Sequence, residues 1–264
     1  MKIIIVLAMM FYFFSSIGFW IYVFTKKENG KKFGFGFFGL GFLTQLVYIG
    51  IKDIQTGSFA FANERDILFL LSTFIAMVFY GFALYKKQLR DFGAIYAPII
   101  VFLIALSLPT YSVESQAYDN IWFYLHIIFS LLSYAFIIAL AVVSTIFILT
   151  ERDLKRKKLN SFFVTKFLSS LQTLKDLEYK LLITVFISLS LALIASSIWS
   201  SVYLGKHWIW DSKQIYLSLM WLLYGIVLQL FIVKREQGKK ISYFVMLISY
   251  FGLIAYWFTK HSIS

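Results

Sequence analysis

The ten residues Gly205 to Gln214, GKHWIWDSKQ, gather a histidine, two tryptophans, an aspartate and two lysines between two strongly apolar stretches. Imidazoles bind metals and haem iron, and indole faces stack on flat apolar groups. The chain holds three histidines, His126, His207 and His261, and seven tryptophans. It holds no cysteine, which excludes disulfides, zinc–thiolate centres and thiol chemistry supplied by the chain itself. Three readings of this residue set stand side by side. In the first, haem lies between two imidazoles on an indole platform, with Lys206, Lys213 or indole N–H groups facing its propionates. In the second, the histidines bind zinc, which prefers at least three protein ligands and often cysteine. In the third, the aromatics are an interfacial belt with no ligand. A belt accounts for Trp122 and Trp257. It does not account for Trp199, Trp208 and Trp210 clustered around one connection beside Asp211.

The elements that must position these residues are membrane spans. Of 264 residues, 60% are hydrophobic and only 14% charged, against about 25% charged in a soluble domain. Eight apolar runs, at 3–24, 33–51, 67–85, 92–108, 121–149, 181–203, 215–233 and 241–259, are long enough for spanning helices. They are unbroken rather than alternating, which excludes a β-barrel pattern. The fourth is short and contains Pro98, a candidate kink. The expected fold is therefore an all-α integral membrane protein with about eight transmembrane helices, forming a single polytopic domain over 1–264. A connecting loop at 151–180 has room for a short surface helix in FFVTKFLSSLQTL.

Basic residues set the orientation. Connections after the first, third, fifth and seventh runs carry 19 of the 25 Lys and Arg, including Lys155, Arg156, Lys157 and Lys158. By the positive-inside rule these loops are cytoplasmic and both termini extracytoplasmic. The net charge of +12 then reports topology and the lipid bilayer, not nucleic acid. All three histidines and the loop at about 199–215 fall on the outer side. The chain shows no charged residue deep within a run, which argues against an ion or solute transporter. No acid–base pair is evident, so no catalytic residue is assigned.

The loop resembles the tryptophan-rich signature W-G-x-x-W-x-W-D-P-K-E of haem-handling cytochrome c assembly proteins, the CcsA/ResC branch with its relative HemX. Gly205, Trp208, Trp210, Asp211 and Lys213 match in register, and Trp199 matches an upstream tryptophan. Further segments are similar in the same order: FANERDILFLLS (Phe61 to Ser72), WFYLHIIFSLLSYAFI (Trp122 to Ile137), LTERDLKRKK followed by LSSLQTLKDLEYK, and YFGLIAYWFTKHS (Tyr250 to Ser262). The resemblance covers nearly the whole chain. It implies a haem-binding subunit of a cytochrome c synthase complex, with haem b as the bound group. His126 and His261 would be its axial ligands, and Trp199, Trp208, Trp210, Asp211 and Lys213 would complete the site. It implies a CcsB/ResB-like membrane partner and an apocytochrome c bearing Cys-x-x-Cys-His, which brings the thiols. The membrane would be a bacterial plasma membrane or a thylakoid. The chain departs from the pattern at Leu204, Ser212, Gln214 and Ile254. Gln229 also stands where the family carries a histidine for a second, inner haem, and an amide is a poor iron ligand. The outer site is thus the one implied. The HemX relative implies an alternative, a non-catalytic membrane regulator of haem synthesis.

Overall fold

A computed structural model describes residues 2–56, 64–109, 120–167, 170–208, 210, 212–233 and 239–258. The described secondary structure is helical throughout. In chain order it comprises α1 (Lys2–Thr25), α2 (Glu28–Thr56), α3 (Glu64–Tyr85), a 3₁₀ helix (Lys87–Phe92), α4 (Gly93–Ser107), α5 (Ile121–Lys155), α6 (Phe162–Lys166), α7 (Leu171–Leu204), α8 (Ser212–Val233) and α9 (Lys239–Phe258). Seven stretches among the described residues are long and apolar enough to cross a membrane. α9 takes the place of the eighth expected span. The protein is an all-α, multi-pass membrane protein.

The two largest boundary differences from the apolar runs lie in α5 and α7. α5 runs on to Lys155, and α7 begins at Leu171 rather than near 181. At 1.5 Å per residue these helices are about 50 Å long, against a hydrocarbon core of about 30 Å. Hydropathy registers only the part that lipid must cover. A charged segment such as Lys175 to Lys180 stays helical because its backbone bonds form equally well in water. A cap fixes its start: the Thr173 amide donates to Ser170 Oγ at 3.1 Å. The 151–180 segment therefore keeps only residues 156–170 outside the long helices, with the five-residue α6 among them.

The helices form two compact units. The first comprises residues 1–119 and 160–169. In it α1 and α2 pack with almost no side-chain spacing. A Cβ on Gly18 would lie 2.7 Å from the Gly34 amide nitrogen, and Ser15 Oγ donates to the Gly34 carbonyl at 2.8 Å. Small residues serve this purpose in membranes, where backbones approach without a hydrophobic driving force. Tyr12 donates to Gln45 (2.7 Å), which donates to Ser72 (2.7 Å), tying α1, α2 and α3 through buried polar groups. Near either end of α2 an ion pair clamps it: Lys31 with Asp91 at 2.6 Å, and Lys52 with Asp66. Phe162 and Phe167 pack against Trp20 and Phe92.

The second unit comprises residues 120–159 and 170–264. Its axis is α5, buried at almost every position from Leu131 to Ile148, as an apolar helix without a polar face must be. α7 and α9 pack along α5, and α8 packs against α7 and α9. Trp221 of α8 donates to Ser190 of α7 at 2.8 Å. Tyr224 of α8 shares a hydrogen bond with Ser249 of α9 at 2.9 Å, and Tyr216 donates to the Gly252 carbonyl.

Candidate functional site

The first turns of α5 are built unlike the rest of that helix. The Asn120 side chain caps it by accepting from the Trp122 amide at 2.7 Å. Every residue from Trp122 to Ser130 is only half-buried, whereas packing closes in from Leu131 onward. His126 sits in this partly open stretch. Its Nδ1 lies 3.1 Å from the Ala192 carbonyl of α7. A carbonyl only accepts, so Nδ1 carries a proton and donates it to Ala192. Ser130 Oγ stands 3.5 Å from the same Nδ1. Metal-ligating histidines are commonly oriented by a carbonyl on their other ring nitrogen.

One turn before His126, Phe123 packs against Trp199 of α7, with centroids 5.5 Å apart, and Trp199 in turn meets Tyr203 at 6.2 Å. Trp199 is only 8% exposed. The α5–α7 seam thus carries two of the expected site residues, His126 against Ala192 and Trp199 against Phe123. Phe123, Tyr203 and the Ala192 carbonyl belong to the same place and were not among them. The first two carried a signal, since Phe123 lies three residues before His126 and Tyr203 four after Trp199, each a helical neighbour. A backbone carbonyl leaves no mark in a sequence.

α7 ends at Gly205, which adopts φ +66°, a left-handed conformation that glycine takes without penalty. Ser200 Oγ then donates to the Lys206 carbonyl at 2.6 Å, and Ser201 Oγ lies 3.3 Å from His207 Nε2. The start of the loop is therefore pinned to the last turn of α7. Beyond it Trp208 and Trp210 form a T-shaped pair with centroids 5.8 Å apart. Trp210 is 81% exposed, and two adjacent exposed indoles form an apolar patch suited to lipid headgroups, a flat ligand or a partner. Lys213 is half-buried on the first turn of α8, while Gln214 is buried. Asp211 and His261 lie outside the described residues; His261 follows the last residue of α9, Phe258, by three positions. Gln229 faces outward from α8, away from the core of its unit. Among the described residues, no three metal-ligating side chains converge.

The sequence model of the family described as cytochrome C assembly protein matches residues 3–263. The chain belongs to that family. Curated relatives agree along most of their length. The cytochrome c biogenesis protein CcsA of Guillardia theta is 25% identical over 92% of this chain and 86% of its own. CcsA of Cyanidium caldarium is 25% identical over 74% of each chain, and CcsA of Prochlorococcus marinus 24% over 79% and 76%. Among solved structures the fold is similar to that of the cytochrome c heme lyase CcmF, with a TM-score of 0.74 at 14% identity. That likeness covers 99% of this chain but only 46% of CcmF.

Proposed function

We propose that this chain binds haem at the extracytoplasmic end of its second unit and presents it to apocytochrome c for attachment. One observation carries the reading: the half-open α5–α7 seam, where the Ala192 carbonyl orients the His126 ring through its Nδ1. The residues present fit the group. Trp199 and Phe123 supply aromatic faces beside His126, Trp208 and Trp210 an exposed indole pair, and Lys213 a cation for a propionate. His261 would be the second residue to hold the iron and Asp211 would orient the loop. Haem b supplies the vinyl groups that receive the thiols of a Cys-x-x-Cys-His segment. The chain's own part is to grip, orient and partly shield the group, so that attachment becomes a local encounter rather than a bimolecular one. Both termini and the 199–215 loop lie on the outer side and the segment around Lys155 to Lys158 on the cytoplasmic side, as one polytopic assembly. A CcsB/ResB-like membrane protein completes the synthase, in a bacterial plasma membrane or a thylakoid.

An absorption spectrum of the detergent-purified protein tests this. A Soret band is expected, weakened or lost in His126→Ala and His261→Ala; a wild-type protein without one defeats the reading. The outward-facing Gln229, in place of an inner histidine, favours one alternative, the HemX-type regulator. Deleting the gene separates the two: loss of c-type cytochromes fits the synthase, while intact cytochromes with altered haem precursors fit the regulator.

A further inference from the structure

At the far end of the second unit from His126, α5, α7 and α9 meet on one carboxylate. Glu178 of α7 is 2% exposed. Ser144 Oγ of α5 donates to one of its oxygens at 2.6 Å, and Ser242 Oγ of α9 donates to the other at 2.7 Å. Both hydroxyls are themselves buried. Burying a carboxylate costs free energy that two neutral donors offset only in part, and an apolar residue of similar size would pack without that cost. Two directed bonds to opposite oxygens do select one register of the three helices, since a shift of either serine along its helix breaks its bond.

The three helices tied here are those that lead to the proposed haem contacts. α5 carries His126, α7 carries Trp199, and α9 runs on toward His261. α5 and α7 are already registered to each other by the Phe123–Trp199 and His126–Ala192 contacts at the opposite end. α9 is otherwise joined to α5 by the weaker Thr145–Tyr250 pair at 3.2 Å, and to α8 by the Tyr224–Ser249 and Tyr216–Gly252 hydrogen bonds. We propose that Glu178 is a positioning residue that sets the register of α9 against α5 and α7, and so the pairing of His261 with His126. The ligand-pairing half of this rests on the haem reading; the register half does not.

Because the chain has no cysteine, two spin labels can be introduced cleanly, at Ile121→Cys on α5 and Ile254→Cys on α9, both exposed. In the otherwise wild-type protein the inter-label distance distribution is expected to be narrow. Glu178→Ala should broaden or shift it and convert a six-coordinate, low-spin haem spectrum to a five-coordinate, high-spin one. Glu178→Gln should restore both, because an amide can accept from one serine and donate to the other. If Glu178→Ala does not accumulate, Ser242→Ala, which frees only α9 from the carboxylate, should broaden the distribution in its place. An unchanged distribution in Glu178→Ala, or in Ser242→Ala if that is the variant measured, overturns the proposal whatever the spectrum. A wild-type protein without haem would sink the haem reading and the ligand-pairing half with it, while the label distances still decide whether Glu178 registers α9.

Discussion

Trp199 and Trp210 belong to one aromatic motif, yet their surroundings give them opposite roles. Trp199 is packed between Phe123 and Tyr203 in the α5–α7 seam, whereas Trp210 is 81% exposed. Trp199→Ala should therefore destabilise the protein by about 3–5 kcal/mol, the range for emptying an aromatic site in a core. Trp210→Ala should change stability by less than about 0.5 kcal/mol while lowering haem retention. Thermal unfolding in detergent, read beside the Soret intensity, separates the two, and equal losses of stability would contradict the assignment. His126 is legible as a candidate from its residue type and its place one turn inside a span. Its orientation by Ala192 is not, because residues 66 apart in sequence meet only after α5 and α7 pack.

At the scale of elements, interhelical distance and charge pairing govern. Gly18 and Gly34 let α1 and α2 meet backbone to backbone, so Gly18→Leu should force the helices apart and cost about 1–3 kcal/mol, the usual penalty for overpacking. Gly36, where a Cβ would meet nothing within 4 Å, is the control: Gly36→Ala should be tolerated. The Lys31–Asp91 pair makes a second prediction. Asp91 is 1% exposed, so Lys31→Met should strand a buried carboxylate at about 3–5 kcal/mol. Lys31→Met combined with Asp91→Leu should recover most of that loss. Strict additivity in this double-mutant cycle would show that the pair does not interact. The existence of the eight long helices was readable from their apolar runs, whereas the 3₁₀ helix Lys87–Phe92 was not. The lengths of α5 and α7 were not, since hydropathy stops at the edge of lipid while a capped helix continues into water.

At the scale of the molecule, orientation decides whether the 199–215 loop can meet an exported apocytochrome. With no native cysteine, single replacements report sidedness directly. Lys206→Cys should react with a membrane-impermeant thiol reagent added outside intact cells. Lys157→Cys should react only after the membrane is opened. The reverse pattern would invert the proposed topology. The chain leaves the second unit after Leu159, gives residues 160–169 to the first, and returns at Ser170. No composition shift marks that excursion, because Phe162 and Phe167 seat by shape against Trp20 and Phe92.

Composition and the length of apolar runs determined by themselves that this chain is a helical membrane protein. The spaced tryptophans and histidines pointed to its family, because a lipid solvent and a short motif are both written locally along the chain. Only the tertiary structure decided which tryptophan is core and which is exposed, how the His126 ring is held, and that three helices converge on Glu178. Each of those depends on groups far apart in sequence, whose meeting is set by packing rather than by any local pattern.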